Sequence, residues 1–179
     1  AGTVVNSEGT SYGVVADTKG VVNINDGAKV EQSKSMTTNG DLTYTAVSGL
    51  GIVNIYEGAE IISDNYGVYP MTSGTPVVNI YGGTIQGGTA TARGGNIYIS
   101  AVTSNLTITG GTVSNGQALA KGTVDLTGGG GNIYVNSIPY SRNNKNYDGG
   151  ASFVMYGGTI RGGSANLGGN IYVEQSKNA

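Results

Sequence analysis

The run Val-Asn-Ile and its variant Asn-Ile-Tyr return along the chain at a spacing that narrows what it can fold into. VVNINDGAKV begins at Val21, IVNIYEGAEI at Ile52 and VVNIYGGTI at Val77, with weaker copies in NLTITGGTV from Asn105 and SFVMYGGTI from Ser152. A second family reads GGNIYI from Gly94 and GGNIYV from Gly130 and again from Gly168. Every copy alternates with period two, which is the pattern of a strand with one buried face. Val22 and Ile24 fall on one side, Asn23 and Asn25 on the other; Val53 with Ile55, Val78 with Ile80, Leu106 with Ile108 and Phe153 with Met155 follow the same parity. In the GGNIY family the inward residues are Ile97 and Ile99, Ile133 and Val135, Ile171 and Val173, which leaves Asn96, Tyr98 and their counterparts expected on the outer face.

The two families interleave in the C-terminal half, and YGVVAD from Tyr12, YTAVSG from Tyr44 and YGVYP from Tyr66 take the place of GGNIY earlier on. Internal repetition of this kind is the signature of a stacked repeat architecture. The second-family positions Val14, Ala46, Val68, Ile97, Ile133 and Ile171 are unequally spaced, with the longest loop insertion at 136–150, NSIPYSRNNKNYDGG. Strict hexapeptide coils would not tolerate that variation, whereas a right-handed parallel β-helix keeps its faces in register while its corners absorb loops. Glycine pairs after the strands, such as Gly82 with Gly83 and Gly110 with Gly111, suit corners that need positive φ. NGQALAKG from Asn115 has room for one helical turn at most. The expectation is an all-β fold: one right-handed, single-stranded parallel β-helix (β-solenoid) domain over residues 1–179, of about five to six coils, with uncapped ends.

Composition matters mainly for what it excludes. Charged residues make up 11% of the 179, and nine Lys plus Arg are scattered among eleven acids, so no basic stripe is present to meet nucleic acid. Neither cysteine nor histidine occurs, which removes disulfides, thiolate sites, the commonest zinc ligands and His-dependent triads. No apolar run approaches the ~20 residues of a membrane helix, so no membrane insertion is expected. The start at Ala1, without Met, fits a removed leader or an excised piece, and with it an extracellular or cell-surface location.

The pattern GGTIQGGTATARGGNIYI and its echo GGTIRGGSANLGGNIYV resemble the repeats of right-handed parallel β-helix regions in large secreted or cell-surface microbial proteins of adhesin-like type. The resemblance covers most of the chain and is densest from Val77 onward. It implies the fold; for function it leaves open polysaccharide lyases, phage tailspikes and passive stalks.

Ladders formed by stacking at about 4.8 Å turn copied residues into columns. Tyr56, Tyr81, Tyr98, Tyr134 and Tyr172 are therefore a candidate contact surface, an aromatic stripe of the kind that meets sugar rings or another protein copy. Enzyme chemistry finds little support. Glu57, Glu60 and Asp64 are the candidate carboxyls for a glycosidase pair, but Gly82 stands where a repeat of Glu57 would be. A lyase recipe, calcium-binding aspartates beside a basic residue, finds Asp125 and Asp148 alone and Arg93 and Arg161 at different places in their repeats, each read as a solvated charge. No catalytic, metal or cofactor residue is assigned. AGTVVN reads as a bare strand and NIYVEQSKNA as the start of a new coil, so Thr3, Val4 and Val5 at one end and Ile171, Tyr172 and Val173 at the other are the candidates for end-to-end assembly. The expected role is a non-enzymatic extracellular structural unit of a stalk, filament or sheath. Its partner is another copy of itself or adjoining coils of the same protein. A carbohydrate-binding segment and a pectate-lyase-like enzyme are the alternatives.

Overall fold

The computed structural model describes residues 2–6, 12–32, 45–70, 75–90, 93–99, 104–119, 128–137, 140–142, 145–147 and 150–175. Among these there is no helix, and the chain visits three long sheets in a fixed rotation. It enters the first sheet with β1 (Thr3–Asn6), the second with β2 (Tyr12–Ala16) and the third with β3 (Val21–Ile24). It returns to them in the same order with β4 (Lys29–Gln32), β5 (Thr45–Gly49) and β6 (Ile52–Ile55), then with β7 (Glu60–Ser63), β8 (Tyr66–Pro70) and β9 (Val77–Ile80).

From the next round a two-residue strand is inserted between the first and second sheets. That round runs β10 (Thr84–Gln86), β11 (Thr89–Ala90), β12 (Ile97–Ile99) and β13 (Asn105–Ile108). The following one runs β14 (Thr112–Ser114), β15 (Gln117–Ala118) and β16 (Ile133–Ser137). An antiparallel pair, β17 (Tyr140–Arg142) with β18 (Lys145–Tyr147), precedes β19 (Ser152–Met155). The last round holds β20 (Thr159–Arg161), β21 (Ser164–Ala165) and β22 (Ile171–Gln175).

The sheet orders are β1-β4-β7-β10-β14-β20, β2-β5-β8-β12-β16-β22, β3-β6-β9-β13-β19 and, for the inserted strands, β11-β15-β21, with every pairing in them parallel. Register follows the repeats. Ile24, Ile55, Ile80 and Ile108 form one column, continued by Met155, and the four isoleucines are buried. In the second sheet Val14 pairs with Val47, not Ala46, and Val47 with Val68; the repeat spacing expected there is off by one residue. Aliphatic residues of all three long sheets pack into a single core, where each fully buried side chain contributes about 1.5–3 kcal/mol.

The corner from the third sheet to the first explains one set of glycines. Gly27, Gly58, Gly83, Gly111 and Gly158 stand at the same place in successive rounds with φ of 70°, 75°, 77°, 82° and 90°. A residue with Cβ is strained in that region. In the first two corners the turn is closed by Ala28 N–H to Asn25 O and Ala59 N–H to Tyr56 O, with glycine third in the turn, the type II requirement.

The short fourth sheet was not expected. Where one helical turn had room at most, Asn115 takes φ of 59° and Gln117–Ala118 is a strand. Within the 136–150 insertion, expected as a loop, β17 and β18 form an antiparallel ribbon.

Candidate contact surfaces

Tyrosines from the two repeat families end in opposite environments. Tyr56 and Tyr81 follow β6 and β9 at the corner and are exposed, with ring centroids 5.2 Å apart and planes 22° from parallel. Beside them lies an open depression of about 730 Å³ lined by Asn25, Asp26, Tyr56, Glu57 and Gly58.

Tyr98 and Tyr134, expected in the same outward stripe, are instead 8% and 1% exposed and belong to a second apolar cluster with Tyr66 and Ala90, against which Tyr69 and Tyr172 pack. The expectation of an exposed tyrosine stripe in the second sheet is therefore corrected. These side chains do point away from the main core, but the chain folds over them. Gly94, Gly130 and Gly168 reverse it with φ of 58°, 62° and 52° just before each strand. Arg93, Gly129 and Leu167, one residue earlier, then bridge to one another in parallel across the outer face. A Cβ on Gly129 would lie 2.7 Å from the Tyr172 ring and 3.2 Å from that of Tyr134, so the backbone rests on the rings. Tyr69 stacks on Tyr98 at 5.1 Å, whereas Tyr98 meets Tyr134 edge-on at 74°.

Arg93, read from the sequence as a solvated charge, is half-buried. Its guanidinium lies 5.2 Å from the centre of the Tyr134 ring and 3.8 Å from Glu174, which also accepts a hydrogen bond from the Tyr134 hydroxyl. Glu174 carried no sequence signal, since it follows the repeat rather than lying inside it.

Two of the three GGNIY asparagines are also covered, while Asn170 in the last round is exposed. Asn96 and Asn132 are fully buried. The Asn132 carbonyl oxygen accepts from Asn96 Nδ2 at 2.7 Å and from Gly116 N–H at 2.8 Å; its amide donates to Asn170 Oδ1 and to the Arg161 carbonyl, both at 2.8 Å. Asn96 and Asn170 accept the matching glycine amides of their own rounds, from Gly88 and Gly163. The counterpart on the third sheet, exposed at Asn23 and half-buried at Asn54 and Asn79, forms the expected ladder, with Asn79 donating to Asn54 at 2.9 Å and Asn54 to Asn23 at 2.8 Å.

Glu57, Glu60 and Asp64 are all exposed, and no group of three metal-capable side chains occurs among the described residues. Arg161 is exposed; Asp125 and Asp148 lie outside the described residues.

No family model, curated protein or solved structure matches this chain. The geometry of its own surfaces therefore carries the functional argument.

The two edges of the stack hold the remaining candidates. At one edge Thr3 and Val4 are exposed, Val14 and Val22 half-buried, and a cavity of about 280 Å³ opens between Val4, Val14, Val22, Ile24 and Val30. At the other, Ile160, Ile171 and Tyr172 are half-buried and Val173 is exposed, although their column partners Val113, Ile133, Tyr134 and Val135 are buried.

Backbone direction alternates along a parallel strand. Lys29 N–H bonds to Gly2 O, so Val4 faces β4 while Thr3 and Val5 direct their N–H and C=O outward. Ile133 N–H bonds to Asn170 O, so Ile171 and Val173 direct theirs outward at the opposite edge.

Proposed function

We propose that this chain is a non-enzymatic structural unit, a right-handed β-solenoid of five to six coils that stacks end to end with further coils in an extracellular stalk, filament or sheath. The carrying observation is the match between its two edges. Both are parallel and both have half-open apolar columns, and the column register aligns Ile160 with Val4 and Ile171 with Val14 of a following unit. The parity agrees as well: Ile171 faces outward opposite Val14, whose flanking Gly13 and Val15 also face outward, because Leu50 N–H bonds to Ala16 O and so fixes Ala16 toward β5. Unpaired strand edges of this kind recruit further strands, and translated copies join without closing.

Thr3→Pro with Ile171→Pro tests this. Each removes a donor that faces outward, whereas Val4→Pro would break the β1–β4 ladder. Sedimentation velocity should show the native chain associating with rising concentration and the double variant remaining monomeric with its melting transition kept. A native chain that stays monomeric at high concentration overturns the proposal.

One observation favours a second reading, carbohydrate contact. The exposed Tyr56–Tyr81 pair beside Asp26 and Glu57 offers ring faces and hydroxyl partners together. Retention on a glycan array that disappears with Tyr56→Ser and Tyr81→Ser supports it, and unchanged retention removes it.

A further inference from the structure

We infer that Tyr56 and Tyr81 form an oxidative cross-linking site, where a peroxide-driven one-electron oxidant of the peroxidase class joins the two rings through their ortho carbons and so fastens two successive rounds covalently. The inference is independent of end-to-end growth, since both residues lie on the lateral surface at the corner that follows β6 and β9.

Exposure singles the pair out. Among the described residues six pairs of tyrosine rings have centroids 5.1 to 6.0 Å apart. Tyr66, Tyr98 and Tyr134 are buried and Tyr69 and Tyr172 half-buried, so only Tyr56 and Tyr81 form a pair with both rings exposed, at 37% and 46%. The backbone fixes their relation. Tyr56 N–H bonds to Ile24 O and Tyr81 N–H to Ile55 O, and the side chains just before them are tied by the bond from Asn79 to Asn54 at 2.9 Å. The same corner position holds Asn25 in the round before and Thr109, whose N–H bonds to Ile80 O, in the round after. In that column each of the two rings therefore has the other as its aromatic neighbour. With centroids 5.2 Å apart and planes 22° from parallel the rings stack face to face, and the depression beside Tyr56 leaves space for its ring to tilt.

The chemistry balances. Each phenol gives one electron to the oxidant and its hydroxyl proton to water, leaving two phenoxyl radicals whose unpaired electrons spread onto the ortho carbons. Two of these carbons pair their electrons in a carbon–carbon bond. Each then loses its hydrogen as a proton and each oxygen regains one, which restores two phenols in a chain lighter by two hydrogen atoms. One hydrogen peroxide takes up the two electrons and two protons and becomes two waters. Held as neighbours, the rings meet at an effective concentration far above that of another chain in dilute solution, so coupling within the chain prevails. The bond ties the corner after β6 to the corner after β9, and those two rounds can no longer separate there.

The test treats the dilute chain with a haem peroxidase and hydrogen peroxide. The expected product is a single chain lighter by two hydrogen atoms, with dityrosine fluorescence. Its fragments should stay joined after a glutamate-specific protease cuts at Glu57 and Glu60, which lie between the two tyrosines. Tyr56→Phe and Tyr81→Phe keep the ring and its stacking, and each should lose that product while keeping the parent's circular dichroism. Tyr69→Phe, in the equally close but less exposed Tyr69–Tyr98 pair, should retain it. The proposal is overturned by the absence of a single-chain product from the folded parent, by product that persists in Tyr56→Phe or Tyr81→Phe, by its loss in Tyr69→Phe, or by coupling between chains only.

Discussion

Asn132 uses every hydrogen-bonding position its side chain has; its bonds to Asn96 and Gly116 are buried and those to Arg161 and Asn170 part-buried. It ties the turn after one sheet to the start of the next and does so across three rounds. Asn132→Leu leaves the buried Gly116 N–H without a partner and takes one bond each from the Asn96 amide, which keeps Ser114 O, and the Arg161 carbonyl, which keeps Asn115 N–H, and should cost about 2–3 kcal/mol in urea unfolding. Asn54→Leu on the half-buried, water-accessible ladder should cost less, about 1 kcal/mol, because water replaces part of what is lost. Tyr66 offers a second test. Burial, more than its neighbours Tyr98 and Tyr69, pushes its phenol well above the ordinary tyrosine value. A raised value means the folded state holds the proton that the unfolded chain gives up near pH 10, so the stabilisation is complete below that pH and declines as pH rises toward the folded value. Unfolding free energies from urea titrations should fall above about pH 10, by up to about 1.4 kcal/mol per pH unit for this group, and Tyr66→Phe should flatten that part of the profile. The alternation could identify which residues share a face. It could not tell an outward face left in solvent from one covered by another segment. Tyr98 and Asn96 were misplaced for that reason: the tyrosines are covered by Arg93, Gly129 and Leu167, whose only regular signal is the glycine that follows each, and Asn96 by the turns at Gly88 and Ser114 that it bonds.

The strands of the third sheet were the most legible elements, because four-residue runs with Val or Leu and then Ile at alternate positions leave little doubt about face or register. Ile80 is buried in that column between Ile55 and Ile108. Ile80→Asp buries an unpaired carboxylate and should unfold the chain, at a cost of several kcal/mol; circular dichroism melting checks it, and a variant that melts like the parent contradicts the core assignment. The fourth sheet was illegible for a physical reason. Its strands are two residues long, Thr89–Ala90, Gln117–Ala118 and Ser164–Ala165, too short for any period, and they are held in place partly by the glycine amides that the buried asparagines bind. The antiparallel ribbon of β17 and β18 was hidden similarly, its strands being three residues each within a polar insertion.

At the scale of the whole molecule, three long parallel sheets share one core, and among the described residues their outermost strands lie at opposite ends with backbone donors and acceptors directed outward at both. Backbone groups at a strand edge are satisfied by another strand or by water. The proposed role follows from that geometry, and it places neighbouring units along the stacking direction with strands perpendicular to the axis of growth. The most direct measurement is electron microscopy of the concentrated native chain together with fibre diffraction from aligned material. The account predicts unbranched filaments one chain wide, with a reflection near ~4.8 Å along the filament axis. Isolated particles at every concentration, or filaments whose ~4.8 Å reflection lies across the axis, would contradict it.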